Sequence, residues 1–313
     1  MLVERRRASM ASRRSQLRYL VTVAEEGQIT RAAMKLGLAQ PTLSQAIAQL
    51  ERELRAELLE RRPRGVALTP AGEAFIAKAR TALEAEADAA QTARSLARSG
   101  RGALAVGFVG PPPVTSTPEL FAVFAASHPD AQLAFRDLPF PSGRTSTWLA
   151  DVDVAICHPP AREPGIGFHA IRVEPRALVA HRDHPLALRD ELDVHDALDE
   201  TFVGYDPEVQ RAWAGFHCLD DHRGAPPANT TDDHALTTLQ MLGIMSSSRQ
   251  AITAVPYRDA TIAQQILPDV MAIPLADLEP AMVSLVWHTD NPNPLLGELL
   301  TAAGHCPSSG DGV

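Results

Sequence analysis

Residues 29–55 read ITRAAMKLGLAQPTLSQAIAQLERELR, and this stretch decides how the N-terminal part of the chain is built. Thr30 suits the N-cap of a short helix over 31–36, whose Ala32, Ala33 and Leu36 are small or apolar enough for close packing. Gly37 supplies the left-handed residue that a tight turn between two helices needs. Pro41 suits the start of a second helix running to about residue 55. In that helix Leu43, Ile47, Leu50 and Leu54 recur at i, i+4, i+7 and i+11, a single core-facing stripe. The opposite face collects Pro41, Gln45, Ala48 and Arg52, flanked by Ser44 and Gln49.

That face is short, polar and free of bulky apolar residues, which is what a DNA major groove accepts. Glutamine can pair two-pronged with an adenine edge, and serine or threonine can reach a base or a phosphate. The helix N-terminus adds free N–H groups for phosphate. Taken alone, an ordinary amphipathic helix with a solvated face accounts for the pattern equally well. The flanks tip the balance. Residues 58–69 read as a hairpin with Arg62-Pro63-Arg64-Gly65 at its tip, so Arg61, Arg62 and Arg64 form a compact cationic wing suited to a phosphate backbone or a minor groove.

Working outward, residues 1–15 (MLVERRRASMASRRS) carry five arginines without apolar periodicity and read as a flexible basic tail, with Met10 as an alternative start. Helical patterning begins at Gln16 and breaks at Glu26-Gly27. On the other side Thr69-Pro70, with Glu73 in the first turn, opens a helix over about 70–100. It is rich in alanine and has little to bury by itself, so it is expected to pack against a partner helix. The charge is uneven. Residues 1–65 hold 13 of the 29 Lys+Arg against 7 of the 38 Asp+Glu, leaving 16 against 31 for the rest of a chain whose net charge is −9. A basic module on an acidic body suggests that one end meets a polyanion.

Beyond Gly102 strand and helix signals alternate. Strand-like runs fall at 103–109, 132–137, 152–157, 176–181, 202–205, 252–256, 270–274 and 282–287, and helix-like runs at 118–127, 209–217, 234–245 and 294–303. This predicts α/β layers on a largely parallel sheet. At 313 residues and 45% apolar content there is room for two or three domains with sizeable cores. No apolar run approaches the roughly 18 residues that cross a bilayer, and the start lacks the apolar core of a secretion signal, which points to the cytoplasm. The three cysteines lie far apart, so neither a disulfide framework nor a metal finger is expected.

Several segments together resemble the N-terminal module of the LysR-type transcriptional regulators: Leu17-Arg18-Tyr19-Leu20, Val23-Ala24-Glu25-Glu26-Gly27, Thr30-Arg31-Ala32-Ala33, Ala39-Gln40-Pro41-Thr42-Leu43-Ser44, Leu50-Glu51 and Leu68-Thr69 with Ala71-Gly72. The likeness is dense and collinear over about 16–75. It implies a winged helix-turn-helix domain (16–69) in which Gln40, Pro41, Thr42, Ser44 and Gln45 approach DNA. Thr30, Arg31, Gln49 and the three wing arginines complete the expected DNA-binding set. It also implies that the helix at 70–100 links and dimerises. Gln45 stands where the family often has arginine, which alters the expected contact at that point.

The resemblance continues more loosely to about residue 304 through DVDVAICHPP (151–160), HRDHPL (181–186) and Ala254-Val255-Pro256. It implies an effector-binding domain over 103–305, similar to a periplasmic binding protein: two α/β lobes, 103–175 with 278–305 and 176–277, holding a small molecule between them. Residues 306–313 read as a frayed tail. Thr115, Ser116 and Thr117, with Thr117 as N-cap before Pro118, can hold a carboxylate or phosphate at a helix N-terminus, so the effector is expected to be an anion. Plain capping explains them equally. His158, just past a strand, faces the same crevice in this reading, and Tyr205 and Thr253 join it by fold analogy alone. GIMSSSRQ (243–250) departs from the glycine-rich turn usual in the family.

No GxSxG, P-loop or GxGxxG motif is present, no cofactor is called for, and the His/Asp/Glu-rich stretches near 181–200 and 217–234 lack metal-ligand spacing. The expectation is therefore a homo-oligomeric, effector-responsive regulator that binds double-stranded DNA. A small-molecule-binding protein whose N-terminal module serves assembly is the alternative. Redox sensing through Cys157 and Cys218 is a weaker reading, since a small buried thiol is the usual role for a cysteine ending an apolar strand.

Overall fold

The computed structural model describes residues 12–63, 65–158 and 162–305. The expected tails at 1–11 and 306–313, Met10, Arg64 and Cys306 lie outside the described residues. The chain divides into two compact units between Ala89 and Ala90, inside one long helix.

In the first unit α1 (Arg13–Glu26) begins three residues before the apolar periodicity does. Its polar first turn is held by Ser12, whose Oγ accepts from Ser15 N, and by the pairs Arg13–Glu53 at 2.6 Å and Arg14–Glu86 at 2.8 Å. The helical start thus replaces the last residues of the expected tail. Gly27 closes α1 in the left-handed region (φ 62°). Then α2 (Ile29–Lys35) starts at Ile29 with Gln28, not Thr30, at the N-cap position, which corrects the expected cap. After Gly37 (φ 65°) comes α3 (Gln40–Leu54). Leu43, Ile47 and Leu50 are buried beneath Leu20, Val23, Ala32 and Ala33. Leu54 departs from the expected stripe: it is 38% exposed, because the helix ends there with Arg55 left-handed, while Ala46 joins the buried face.

Strands β1 (Leu59–Arg62) and β2 (Gly65–Leu68) pair antiparallel as the wing. Glu51 fixes its base by accepting from Leu58 N and Leu59 N at 2.8 and 3.1 Å. Val66 N donates to Gly27 O at 2.8 Å, and a Cβ on Gly65 would stand 2.2 Å from that oxygen, so only glycine allows the wing to lie this close to the end of α1. Thr69 caps α4 (Pro70–Ser99), its Oγ1 accepting from Gly72 N at 3.0 Å and donating to Glu57 O at 2.7 Å.

The second unit contains two mixed sheets. The first has the order β4-β3-β5-β13-β6 and is built from β3 (Ala103–Phe108), β4 (Gln132–Asp137), β5 (Val154–Cys157), β6 (Ile166–Glu174) and β13 (Ala281–His288). Helices α5 (Pro113–Ser116), α6 (Pro118–Ser127) and α7 (Thr145–Trp148) interrupt its strands. The second has the order β10-β9-β11-β7-β12-β8. Its elements are β7 (Arg176–His181), β8 (Leu192–Asp193), β9 (Thr201–Tyr205), α8 (Arg211–His217), α9 (Asp220–Arg223), β10 (Asn229–Ala235), α10 (Thr238–Ser247), β11 (Ala251–Pro256), α11 (Tyr257–Ile266) and β12 (Val270–Ala276). The last described element, α12 (Pro294–His305), packs with α6 on the first sheet.

The expectation of a largely parallel sheet is corrected. The chain passes between sheets twice, at Pro175 and again between β12 and β13, and the strands entered there, β7 and β13, run antiparallel to both of their neighbours. Three strands without a sequence signal, β6, β8 and β10, lie at sheet edges; β10 is polar at all but its last position, whereas the exposed positions of β6 are Ala170 and Val173. The helix expected at 234–245 begins at Thr238 instead, because His234 and Ala235 belong to β10 and Thr237 supplies the cap.

A buried carboxylate fastens the end of α4 to the first sheet. Asp153, 1% exposed, accepts from Ser95 Oγ (2.6 Å), Arg98 Nε and Nη2 (2.8 Å each), Ala105 N (2.8 Å) and Asn293 Nδ2 (3.3 Å). Burial alone would raise its pKa, but the hydrogen bonds from Arg98, Ser95 and Ala105 outweigh burial and hold it below the usual carboxylate value.

Candidate nucleic-acid face and interlobe cavity

Packing the apolar stripe of α3 inward leaves its other side outward. Gln40, Pro41, Thr42, Gln45 and Arg52 are exposed and Ser44 half-buried, with Gln40 Nε2 donating to Ser44 Oγ at 3.2 Å. Thr30 and Arg31 at the start of α2 are exposed as well. Gln49 is half-buried, and its amide donates to Glu53 at 2.9 Å, so this side chain is engaged along its own helix. On the wing Arg61 and Arg62 are exposed, and Arg62 makes two hydrogen bonds to Glu60, at 2.9 and 2.5 Å. Such a surface pair is weak and screened by salt, so a phosphate can displace it. A ridge of amide and hydroxyl groups beside guanidinium groups offers both base-edge donors and acceptors and backbone-binding charge.

In the second unit a cavity of about 160 Å³ lies between the two sheets. Val109, Gly110, Pro111, Pro112 and His158 line it from the first lobe. Phe140, Val179, Trp213, His217, Thr238, Met241, Leu242 and Val255 line it from the side of the second lobe, and α11 contributes Asp259, Ile262, Ala263 and Ile266. Thr238 Oγ1 accepts from Gly110 N at 3.1 Å, a direct bond between lobes. A second tie runs through buried Arg172, which donates to Ser116 O at 2.6 Å, Glu174 Oε1 at 2.8 Å and Asp259 Oδ1 at 3.3 Å. Burial pushes the Asp259 carboxyl up to about 7 despite the nearby Arg172.

The six residues expected to hold an effector separate into three groups. His158 lines the cavity, its ring stacked on Phe216 with centroids 3.5 Å apart. Tyr205 and Thr253 are hydrogen-bonded to each other at 2.9 Å under the cavity wall and do not line it. The hydroxyl cluster lies apart from the cavity. Thr115 and Ser116 donate to Pro112 O, at 2.7 and 3.4 Å, and Thr117 donates to Pro113 O at 3.0 Å; none of the three lines the cavity. Three prolines in succession remove N–H donors but leave carbonyls, and these hydroxyls serve them. Thr117 makes no side-chain cap. Trp213 and His217 line the cavity without belonging to the expected set; their one sequence signal is the i, i+4 spacing that puts both on one face of α8.

Both described cysteines, Cys157 and Cys218, are buried, and burial raises both thiols, Cys218 to about 12. Neither resembles the low-pKa, accessible thiol of a redox sensor. No helix among the described residues is long and apolar enough to cross a membrane.

Comparison with known proteins places these features in a family. The model of the bacterial regulatory helix-turn-helix protein, lysR family, matches residues 15–73, and that of the LysR substrate binding domain matches residues 97–305. The chain is 31% identical to the HTH-type transcriptional regulator AlsR of Bacillus subtilis over 60% of its own length and 62% of that protein, under two thirds of the relative. It is 29% identical to the HTH-type transcriptional regulator TfdS of Cupriavidus pinatubonensis over 92% of this chain and 96% of that one. The crystal structure of full-length BenM shares the fold, at 22% identity and a TM-score of 0.50 over 94% of this chain and 96% of that one. The helix-turn-helix with its wing, the long helix and the two-lobed α/β unit are thus one architecture, and the chain belongs to the LysR family.

Proposed function

We propose that this chain is a sequence-specific DNA-binding transcriptional regulator whose activity responds to a small molecule held between its two lobes. The observation that carries the reading is the outward face of α3, where Gln40, Pro41, Thr42, Ser44 and Gln45 stand opposite the packed Leu43, Ile47 and Leu50 with Arg61 and Arg62 beside them. Thr30, Arg31 and, after release from Glu53, Gln49 extend the same contact surface. The relatives are transcriptional regulators, which supports this role and an absence of catalysis, and no cofactor enters the scheme. The protein acts in the cytoplasm, where its DNA is.

Self-association is part of the proposal. Ala82, Ala85, Ala89, Ala93 and Leu96 are exposed along one stripe of α4 at helical spacing, and a second copy of the helix would cover it. Two recognition helices would then meet two half-sites, with a dimer of dimers spanning a longer operator. An effector shifts this assembly only if it binds one lobe arrangement more tightly than the other.

Footprinting of the full-length protein on the DNA upstream of its own gene tests the reading. Protection of a defined pair of half-sites, changed in length or pattern by an effector, is the expected result. A small-molecule-binding protein whose N-terminal module serves assembly would protect nothing.

A further inference from the structure

The interlobe cavity has a chemistry of its own. Nearly all its walls are aliphatic or aromatic carbon, and no lysine or arginine lines it among the described residues. The one formal charge on the wall is a carboxyl, Asp259. Arg176, the buried cation nearest the aromatic cluster, lies over the Phe216 ring at 3.9 Å and is paired to Asp221 at 3.7 Å, outside the lining. A carboxylate ligand would therefore lose its hydration and find no cation on the wall itself, only the charge of Arg176 behind it, which is already shared with Asp221.

Two lining residues keep polar atoms without partners. Trp213 Nε1 and His217 Nε2 are both buried and make no hydrogen bond among the described residues. His217 Nδ1 lies 2.7 Å from Ala254 O, so that nitrogen carries the proton. Burial holds the imidazole neutral, well below its ordinary pKa, which leaves Nε2 as an acceptor. His158 follows the same logic: Nδ1 donates to Met282 O at 3.3 Å, and burial lowers the ring to about 4. One free donor, the indole N–H, and one free acceptor thus lie just behind the cavity wall, on rings whose centroids are 4.1 Å apart, and a small shift of these rings brings them to a ligand. A hydroxyl group answers both at once; a carboxylate answers only the donor and opposes the acceptor. The volume, about 160 Å³, is close to that of cavities of about 150 Å³ that admit a single benzene ring.

We propose that the cavity takes a neutral, one-ring apolar molecule bearing a hydroxyl group, whose oxygen accepts from Trp213 Nε1–H and whose proton is donated to His217 Nε2. This rests on the cavity being the effector site. Its test uses the full-length protein at pH 7 with three probes sharing one ring: phenol, toluene and benzoate, followed by calorimetry and by footprinting. Phenol is expected to bind about five- to hundredfold more tightly than toluene, the range of two net hydrogen bonds, with benzoate weakest. Trp213→Phe removes one of the two bonds and should cut the advantage of phenol over toluene by about two- to tenfold, while toluene changes less than about twofold. Ile262→Trp, which fills the cavity from its half-exposed edge, should abolish binding of all three. Benzoate binding as tightly as phenol, phenol and toluene binding equally, or no binding of any probe overturns the ligand class. The two readings fail separately. Phenol bound in the expected order without any change in the footprint overturns the regulatory role of the cavity and leaves the ligand class standing. A footprint changed by benzoate, and lost in Ile262→Trp, does the reverse.

Discussion

The outward face of α3 and the interlobe cavity are two recognition surfaces made from opposite materials. The first draws Gln40, Thr42 and Gln45 from two turns of one helix and leaves them exposed. The second draws His158, Trp213, Thr238 and Ile262 from four separate segments and encloses their few polar atoms in hydrocarbon. On the exposed face each hydrogen bond to a partner replaces one to water, so affinity must come mainly from phosphate charge and selectivity from base edges. In the cavity an unanswered donor or acceptor has no water to fall back on, so one hydrogen bond decides which molecule fits. Charge governs one surface and desolvation the other.

The sharpest way to break this contrast is to unfasten the second unit alone. Asp153→Ala leaves half-buried Arg98 and the buried Ser95 and Ala105 N–H without their carboxylate, a change expected to cost about 3–5 kcal/mol. The melting of residues 90–305 should fall while the helix-turn-helix keeps its cooperative transition; calorimetry of the full chain reads both, and loss of both transitions together would show that the units do not melt independently. The same carboxylate predicts an acid limb. Its folded pKa lies below the ordinary value, so its contribution is present above about pH 4 and is lost as pH falls through the lowered value.

Next in size is the electrostatic share of DNA binding. Replacing Arg31, Arg61 and Arg62 together by alanine should weaken binding to every sequence and flatten the salt dependence by up to about 0.9 for each phosphate left without its arginine. An unchanged slope in a filter-binding titration removes these arginines from the interface. Gln45→Ala should act differently, relaxing preference at one base position by about 1–3 kcal/mol. Equal loss on all operator variants would make Gln45 a backbone contact.

The smallest effect concerns the cavity wall. Asp259, raised to about 7, stabilises the fold below its unfolded value near 4 and loses that contribution as pH climbs to about 7. His158, lowered to about 4, and His217 work the other way: their contribution is present above the ordinary histidine value near 6.5 and lost as pH falls. Asp259→Asn removes the falling component, so stability between about pH 4.5 and 6.5 should rise more steeply with pH than in the native chain, by at most about 1.4 kcal/mol per pH unit. A parallel curve in urea titrations would mean that Asp259 is already ionised across that range.

Legibility followed contiguity. The stripe Leu43, Ile47, Leu50, the turn at Gly37, the cap at Thr69 and the wing arginines Arg61 and Arg62 are local facts, each readable within a few residues because helix periodicity and turn chemistry act at short range. Where a local signal met a tertiary demand, the demand prevailed. Thr30 gave way to Gln28 as the cap residue, and Leu54 fell off the end of its stripe. Edge strands β6 and β10 lacked apolar alternation because β10 is polar at all but its last position and β6 exposes Ala170 and Val173 while burying Arg172.

The chain order of residues by itself determined the helix-turn-helix with its wing, the long alanine-rich helix, the α/β texture of the body and the polar character of the α3 face, since all of these depend on neighbours in sequence. Only the tertiary structure decided what the cavity is. The hydroxyls of Thr115, Ser116 and Thr117 are consumed by proline carbonyls, Tyr205 and Thr253 are turned toward each other, and Trp213 and His217 are left with an unanswered donor and acceptor. Whether a polar group is free for a ligand depends on who else reaches it, and that is settled by packing across the lobes.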